Sequence, residues 1–243
     1  MPTYNDEAVV LRTHNLGEAD RIVTLLTRRH GKVRAVAKGV RRSTSKFGAR
    51  LEPFSHVDLQ LVVGRSLDIV AQAVSRDAFG EPLVADYPRY TAGHAMLEAA
   101  DRLVGEEGEP VVQHYLLLVG ALRALGTGDE RPSSQILDSY LLRALAIAGY
   151  APSLGECALC GGSDRLDYFS PSTGGIVCTS CRPSGSARVD IATTAYLGAL
   201  LAGDWDGVAA SPQAVQRSAS GLVAAFATWH IEHGLRSLAH VER

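Results

Sequence analysis

Thirty consecutive residues, Arg21 to Arg50, contain no aspartate and no glutamate, although the 243-residue chain has 26 acidic side chains in all. The same stretch holds ten cations: Arg21, Arg28, Arg29, Lys32, Arg34, Lys38, Arg41, Arg42, Lys46 and Arg50. Lysine is scarce, and all three lysines of the chain are in that set. The formal charge of the whole is −2, so the excess is local. Residues 1–80 carry thirteen basic and eight acidic side chains, net +5; the other 163 carry eleven and eighteen, net −7. A concentrated cation on an otherwise acidic chain points to a partner rich in phosphate.

Other absences narrow the field. Apolar runs such as Tyr115 to Leu122 fall far short of the ~20 residues needed to span a bilayer. The first ten residues, MPTYNDEAVV, are acidic and lack the cationic and apolar segments of a secretory signal. The expectation is a cytoplasmic protein. The sequence contains no G-x-x-x-x-G-K-[ST] phosphate loop, no G-x-S-x-G elbow and no H-E-x-x-H metal helix, which removes the common nucleotide-driven and hydrolytic schemes. The expectation is a binding protein, not an enzyme. His230 and His233, with Glu232 between them, read as a surface or packed pair, and Glu106, Glu107 and Glu109 as a solvated turn. Aromatics are few near the cations: only Tyr4, Phe47, Phe54 and Phe79 precede residue 81. Single-strand binders that stack bases gain roughly 1–3 kcal/mol per ring. Phe47 is the stacking candidate here, and Phe54 reads as a plug in the core. Affinity should come mainly from phosphate neutralisation, with little sequence preference and a steep salt dependence.

What is present in the first eighty residues reads as strands: 7–14, 21–27, 32–37, 56–63 and 67–74. His30-Gly31 supplies a turn residue that accepts positive φ. Along the third strand Val33, Ala35 and Ala37 share one face, and Lys32, Arg34 and Lys38 the other. Five short strands without a long helix suggest a small barrel, compatible with an OB-type or an SH3-like fold. The loop from Gly39 to Phe54 is rich in Ser, Thr and Gly; it reads as mobile in isolation and able to order on a phosphate backbone.

Beyond residue 80 the spacing turns helical, with helices expected at 88–104, 110–125, 132–148, 193–202 and 212–238. The segment 110–125 is apolar on nearly all sides and reads as a central buried helix. The reading is therefore an α+β chain of two domains, 1–80 and 81–243. The four cysteines form two knuckles, Cys157-Ala-Leu-Cys160 and Cys178-Thr-Ser-Cys181, separated by seventeen residues. In a reducing compartment this spacing reads as a tetrathiolate Zn²⁺ site in an insert spanning 155–184, with a hairpin turning at Gly174-Gly175. Four protein ligands leave no open coordination position, so the ion is structural.

Residues 16–61 (LGEADRIVTLLTRRHGKVRAVAKGVRRSTSKFGARLEPFSHVDLQL) resemble the N-terminal domain of RecO, the bacterial DNA-repair and recombination mediator family. LLRALAIAGYAPSLGECALCGG (141–162) and YFSPSTGGIVCTSC (168–181) resemble its C-terminal domain. The resemblance implies an OB-fold N-terminal domain, a helical C-terminal domain with a zinc-binding insert, and a non-enzymatic role at the nucleoid. It implies binding of single- and double-stranded DNA and annealing of complementary strands, including strands coated by single-stranded-DNA-binding protein. It also implies partnership with RecR, and indirectly with RecF and RecA. By position, the ten cations would form the DNA surface and Cys157, Cys160, Cys178 and Cys181 the zinc ligands. A generic OB-fold module for RNA or DNA with a structural zinc is the alternative.

Overall fold

A computed structural model describes residues 1–105, 108–127, 130–231 and 234–242, with Glu81 by its backbone alone. Contacts divide it into two compact units, Met1–Glu130 and Arg131–Arg243.

The first unit opens with five strands: β1 (Thr3–Leu16), β2 (Asp20–Thr27), β3 (Lys32–Ala37), β4 (Ser55–Val62) and β5 (Asp68–Ala78). They close into a barrel in the order β1-β2-β3-β5-β4, antiparallel throughout except for the short β3–β5 pair. β1 is long because it serves two partners, β4 with its first half and β2 with its second. Gly31, at φ 64°, turns the β2–β3 hairpin as expected. The inward residues Ala8, Val10, Val23, Leu25, Val33, Ala35, Val57, Leu59 and Leu61 form the barrel core. The alternation read from β3 holds: Val33, Ala35 and Ala37 are buried, while Arg34 and Lys38 are exposed.

Three expectations change here. Phe47 is only 2% exposed and belongs to the barrel core, so it presents no ring for stacking. The basic loop is pinned rather than loose, because Val40, Phe47 and Leu51 all insert into that core. Phe54 is buried, but it packs against Tyr90 and His94 of a helix rather than inside the barrel. Its backbone sits at φ 71°, which turns the chain into β4.

The short α1 (Gly80–Val84) and the longer α2 (Tyr87–Leu103) and α3 (Val112–Gly126) belong to this same unit. Asp86 caps α2 by accepting the Arg89 N–H at 3.0 Å. A polar chain fastens α3 to the barrel: His56 bonds Asp77 through Nδ1 and the Tyr115 hydroxyl through Nε2, each at 2.8 Å, and Tyr115 donates to Glu7. The segment 110–125 is not buried all round, since Val112, Leu116 and Arg123 are exposed. Uniform apolarity did not distinguish it from α4 (Ser133–Ile147), where Gln135 through Leu142 are all buried.

In the second unit, α4 is followed by β6 (Tyr168–Ser170), β7 (Gly175–Val177) and β8 (Ala187–Arg188), a small sheet of order β7-β6-β8. Then come α5 (Ile191–Ala202), α6 (Trp205–Ala209) and α7 (Gln213–His230). The helix expected at 212–238 stops at His230: Ile231 is extended and Gly234 takes φ 63°. His230 packs between a tilted Tyr150 ring and an edge-on Phe226 ring and hydrogen-bonds the Pro171 carbonyl oxygen at 3.1 Å, a packed role. Glu232 and His233 lie outside the described residues, as do Glu106 and Glu107. Glu109 is exposed. Among the described residues no helix is long and apolar enough to cross a membrane.

Candidate nucleic-acid interface and metal centre

The cations do not form one cluster. Arg34 and Lys38 stand on the outer side of β3. Lys32 begins the strand, half-buried, with Nζ donating to the Asp101 carbonyl oxygen at 2.8 Å. Arg41 is carried to the β1–β2 turn, where its N–H donates to the Ala19 carbonyl oxygen and Nη1 to that of Gly17 at 3.2 Å. Arg42 follows it, exposed. Lys46 and Arg50 sit on the pinned loop, Lys46 donating to the Ala71 carbonyl oxygen and Arg50 to that of Lys46. Arg21 is held by Glu52 at 2.5 Å and Arg28 by Glu7 at 3.2 Å. Arg29 is exposed at the hairpin, its backbone N–H on Asp6.

Strand register assembles a face that the cation run alone does not show. β1 and β2 pair Val10 with Leu25 and then Arg12 with Thr24, so Leu11 is an extra residue, a β-bulge. Upstream of it the even-numbered residues Ala8 and Val10 point into the core. Downstream the parity is reversed, and Arg12 and His14 are exposed. Across β1-β2-β3 the outer rows read Arg12–Thr24–Arg34 and His14–Ile22–Val36, then Leu16–Asp20, with Lys38 next in the parity of β3. Gly39 N–H donates to Asp20 at 2.7 Å, which brings the Arg41 turn alongside. The track from Arg34 to Lys38 covers about 13 Å at the strand rise of ~3.3 Å per residue. Arg12 and His14 lie outside the acid-free stretch 21–50, and it is the bulge that turns them to this face. Asp101 of α2 borders this face, with Oδ2 2.7 Å from Arg12 Nε and Oδ1 3.7 Å from Lys32 Nζ.

The four cysteines converge in the second unit. Their Sγ atoms all lie within 4.8 Å of one another, and a tetrahedral ion with bonds of about 2.3 Å needs sulfurs roughly 3.8 Å apart. The residues therefore fit a metal ion. The first knuckle turns tightly, with Gly161 N–H donating to the Cys157 carbonyl oxygen and Cys157 N–H to that of Gly162, both at 2.8 Å. The hairpin turns at Gly174, φ 87°, as the sequence indicates. The Ala158 N–H then donates to the Ile176 carbonyl oxygen, which ties the knuckle to β7. Backbone N–H groups of Cys178, Cys160 and Leu159 pull the Cys157 thiol down to about 6. Hydrogen bonds to Cys178 and Cys160 push Cys181 up to about 12. Cys157 is thus favoured as a thiolate, and Cys181 as a thiol whose proton a bound cation would displace.

Comparison with known proteins matches both parts of the chain to one family. Residues 1–79 match the family model Recombination protein O N terminal, and residues 84–239 match Recombination protein O C terminal. A DNA repair protein RecO from Nocardioides sp. is 60% identical over 245 residues, covering 99% of each chain. Those of Thermobifida fusca and Streptomyces coelicolor are 56% and 53% identical, each over 100% of both chains. The chain belongs to the Recombination protein O family.

Proposed function

We propose that this chain is a DNA repair and recombination mediator that binds single- and double-stranded DNA without sequence preference and anneals complementary strands, including strands coated by single-stranded-DNA-binding protein. With RecR, and indirectly RecF, it helps load RecA; no catalytic step of its own is involved. The observation that carries this reading is the outer face of β1-β2-β3. Arg12, Arg34, Lys38 and Arg41 are spread around aliphatic Ile22 and Val36, with no Phe, Tyr or Trp among the described residues of that face. Such a surface neutralises phosphates and packs loosely on bases without reading their edges. Two strands that must pair repel along their backbones, and a shared cationic face lowers that repulsion enough for pairing to nucleate.

The barrel's strand order, with its one parallel closure, supports an OB-fold assignment. The names of the relatives, DNA repair protein RecO, support the repair role. For the metal, the soft all-thiolate donor set supports Zn²⁺, held by Cys157, Cys160, Cys178 and Cys181. The ion would fix the hairpin to the helices around it, leaving no position for substrate.

The test is annealing of two complementary oligonucleotides precoated with the organism's own single-stranded-DNA-binding protein, without nucleotide. Rapid annealing supports the mediator reading. Binding of bare strands without annealing of coated ones reduces the chain to a general nucleic-acid-binding module.

A further inference from the structure

At the hairpin end of the barrel, the start of β3, the N-terminus of β1 and the β4–β5 turn enclose a cleft of about 480 Å³. Arg34 lines it and also stands on the outer face of β3, so the cleft is continuous with the cationic track. Lys32 and Arg65 add positive charge to its walls. Arg65 projects from a tight turn: a Cβ on Gly64 would lie 1.8 Å from the Leu67 carbonyl oxygen, so the turn holds its conformation only with glycine there. Among the described residues Arg65 has no acidic partner. Among the described residues the only carboxylate in the lining, Asp68, is already engaged by the Tyr4 hydroxyl at 2.5 Å and the Gly64 N–H at 2.9 Å. Two rings line the same space, Tyr4 and His30, with centroids 4.4 Å apart. Both are fixed, Tyr4 through Asp68 and His30 through Asp6 at 2.6 Å.

We propose that this cleft takes one unstacked nucleotide of a bound strand, its base against the Tyr4–His30 pair and its phosphate on Arg65 and Arg34. The volume lies in the range of small-ligand pockets, roughly 300–1,000 Å³, and a stacked base pair in a duplex has no way into it. A nucleotide pulled out of the stack does, and fixed rings with flanking cations are the elements that hold one. The track alone then serves duplex, while single strands use track and cleft together. This rests on the nucleic-acid-binding reading above.

The experiment uses the full chain and a DNA oligonucleotide carrying a single 2-aminopurine, with anisotropy for affinity and 2-aminopurine emission for the base environment. The expected result is tighter binding of the single strand than of its blunt duplex, with quenching of the fluorophore by a ring contact. In Arg65→Ala the ratio of single-strand to duplex affinity falls at least threefold and the quenching weakens. Equal affinity for both forms with unchanged emission overturns the cleft assignment while leaving the cationic track intact. No binding of either form overturns the nucleic-acid reading itself. AMP binding more tightly than the oligonucleotide overturns the assignment in favour of a free-nucleotide site.

Discussion

Replacing Lys38, Arg41 and Arg42 together by alanine tests whether the exposed cations, rather than the whole basic run, neutralise phosphates. All three are exposed and, among the described residues, none has an acidic partner. Each phosphate neutralised on a single strand contributes about 0.7 to the slope of log affinity against log salt, so losing three contacts lowers the slope by about 2. Raising salt fourfold then weakens the native protein about twentyfold more than the variant. The fold should barely respond, since the three side chains hold a single bond that matters locally, from Arg41 to the Gly17 carbonyl oxygen; a loss within about 1 kcal/mol is expected. The companion variant replaces Arg21, Arg28 and Lys32, which already engage Glu52, Glu7 and Asp101. It removes the same charge, yet its slope should fall by less than about 1. Salt titrations by fluorescence anisotropy on a single-stranded oligonucleotide measure both. An unchanged slope in the first variant, or an equal fall in the second, refutes the reasoning.

Four further outcomes are expected. Asp101→Asn frees Arg12 and Lys32 from a competing carboxylate, so single strands bind more tightly with a slope steeper by about 1, at a stability cost of roughly 1 kcal/mol or less, read by anisotropy and thermal melting. Cys178→Ser removes one of four converging sulfurs; bound zinc, measured by mass spectrometry of the native protein, should fall well below one per chain, and stability by about 3 kcal/mol or more. Gly31→Ala places a Cβ 1.8 Å from the Glu109 carbonyl oxygen on a backbone at φ 64°; a loss of about 2 kcal/mol or more in denaturant unfolding is expected. Burial lowers the pKa values of His94, His114 and His230 below the ordinary 6.5. The fold favours their neutral forms, so that contribution is complete above pH 6.5 and is lost as pH falls through the lower folded values. Thermal midpoints should therefore decline below about pH 6.5, and less steeply in His114→Phe, whose parent ring is buried with Nδ1 unbonded.

The sequence reads well where a single local cause decides the outcome. β3 follows simple alternation, and two knuckles of fixed spacing bring four sulfurs together. The Gly174 turn and the Gly31 turn each need a residue that tolerates positive φ, and each has one. It reads poorly where the outcome depends on partners. Phe47 sits between a lysine and a glycine in a polar loop, and nothing nearby shows that Val40 and Leu51 accompany it into the core. Leu235 and Leu238 continue a helical spacing past residue 230, yet Gly234 takes a positive φ that no helix accommodates. The change in periodicity at residue 80 marks where strands give way to helices, and it does not disclose the contacts of α2 and α3 with the barrel, made through Arg12–Asp101 and the Tyr115 hydroxyl. Ion pairing was equally hidden, since Glu52, Glu7 and Asp101 lie outside the basic run they partly neutralise.

The extra residue at Leu11 makes the working surface depend on how β1 is paired rather than on its composition. Were Leu11 taken into the ladder opposite Thr24, the second half of β1 would slip by one position against β2, turning Arg12 and His14 toward Val23 and Leu25 and offering Thr13 to the solvent, with every arginine and lysine kept. A chain lacking Leu11 would instead pair Arg12 with Thr24 directly and keep the same residues outside. The cations thus face outward because one residue is left out of the ladder, and the strand tolerates the loss of that residue better than its pairing.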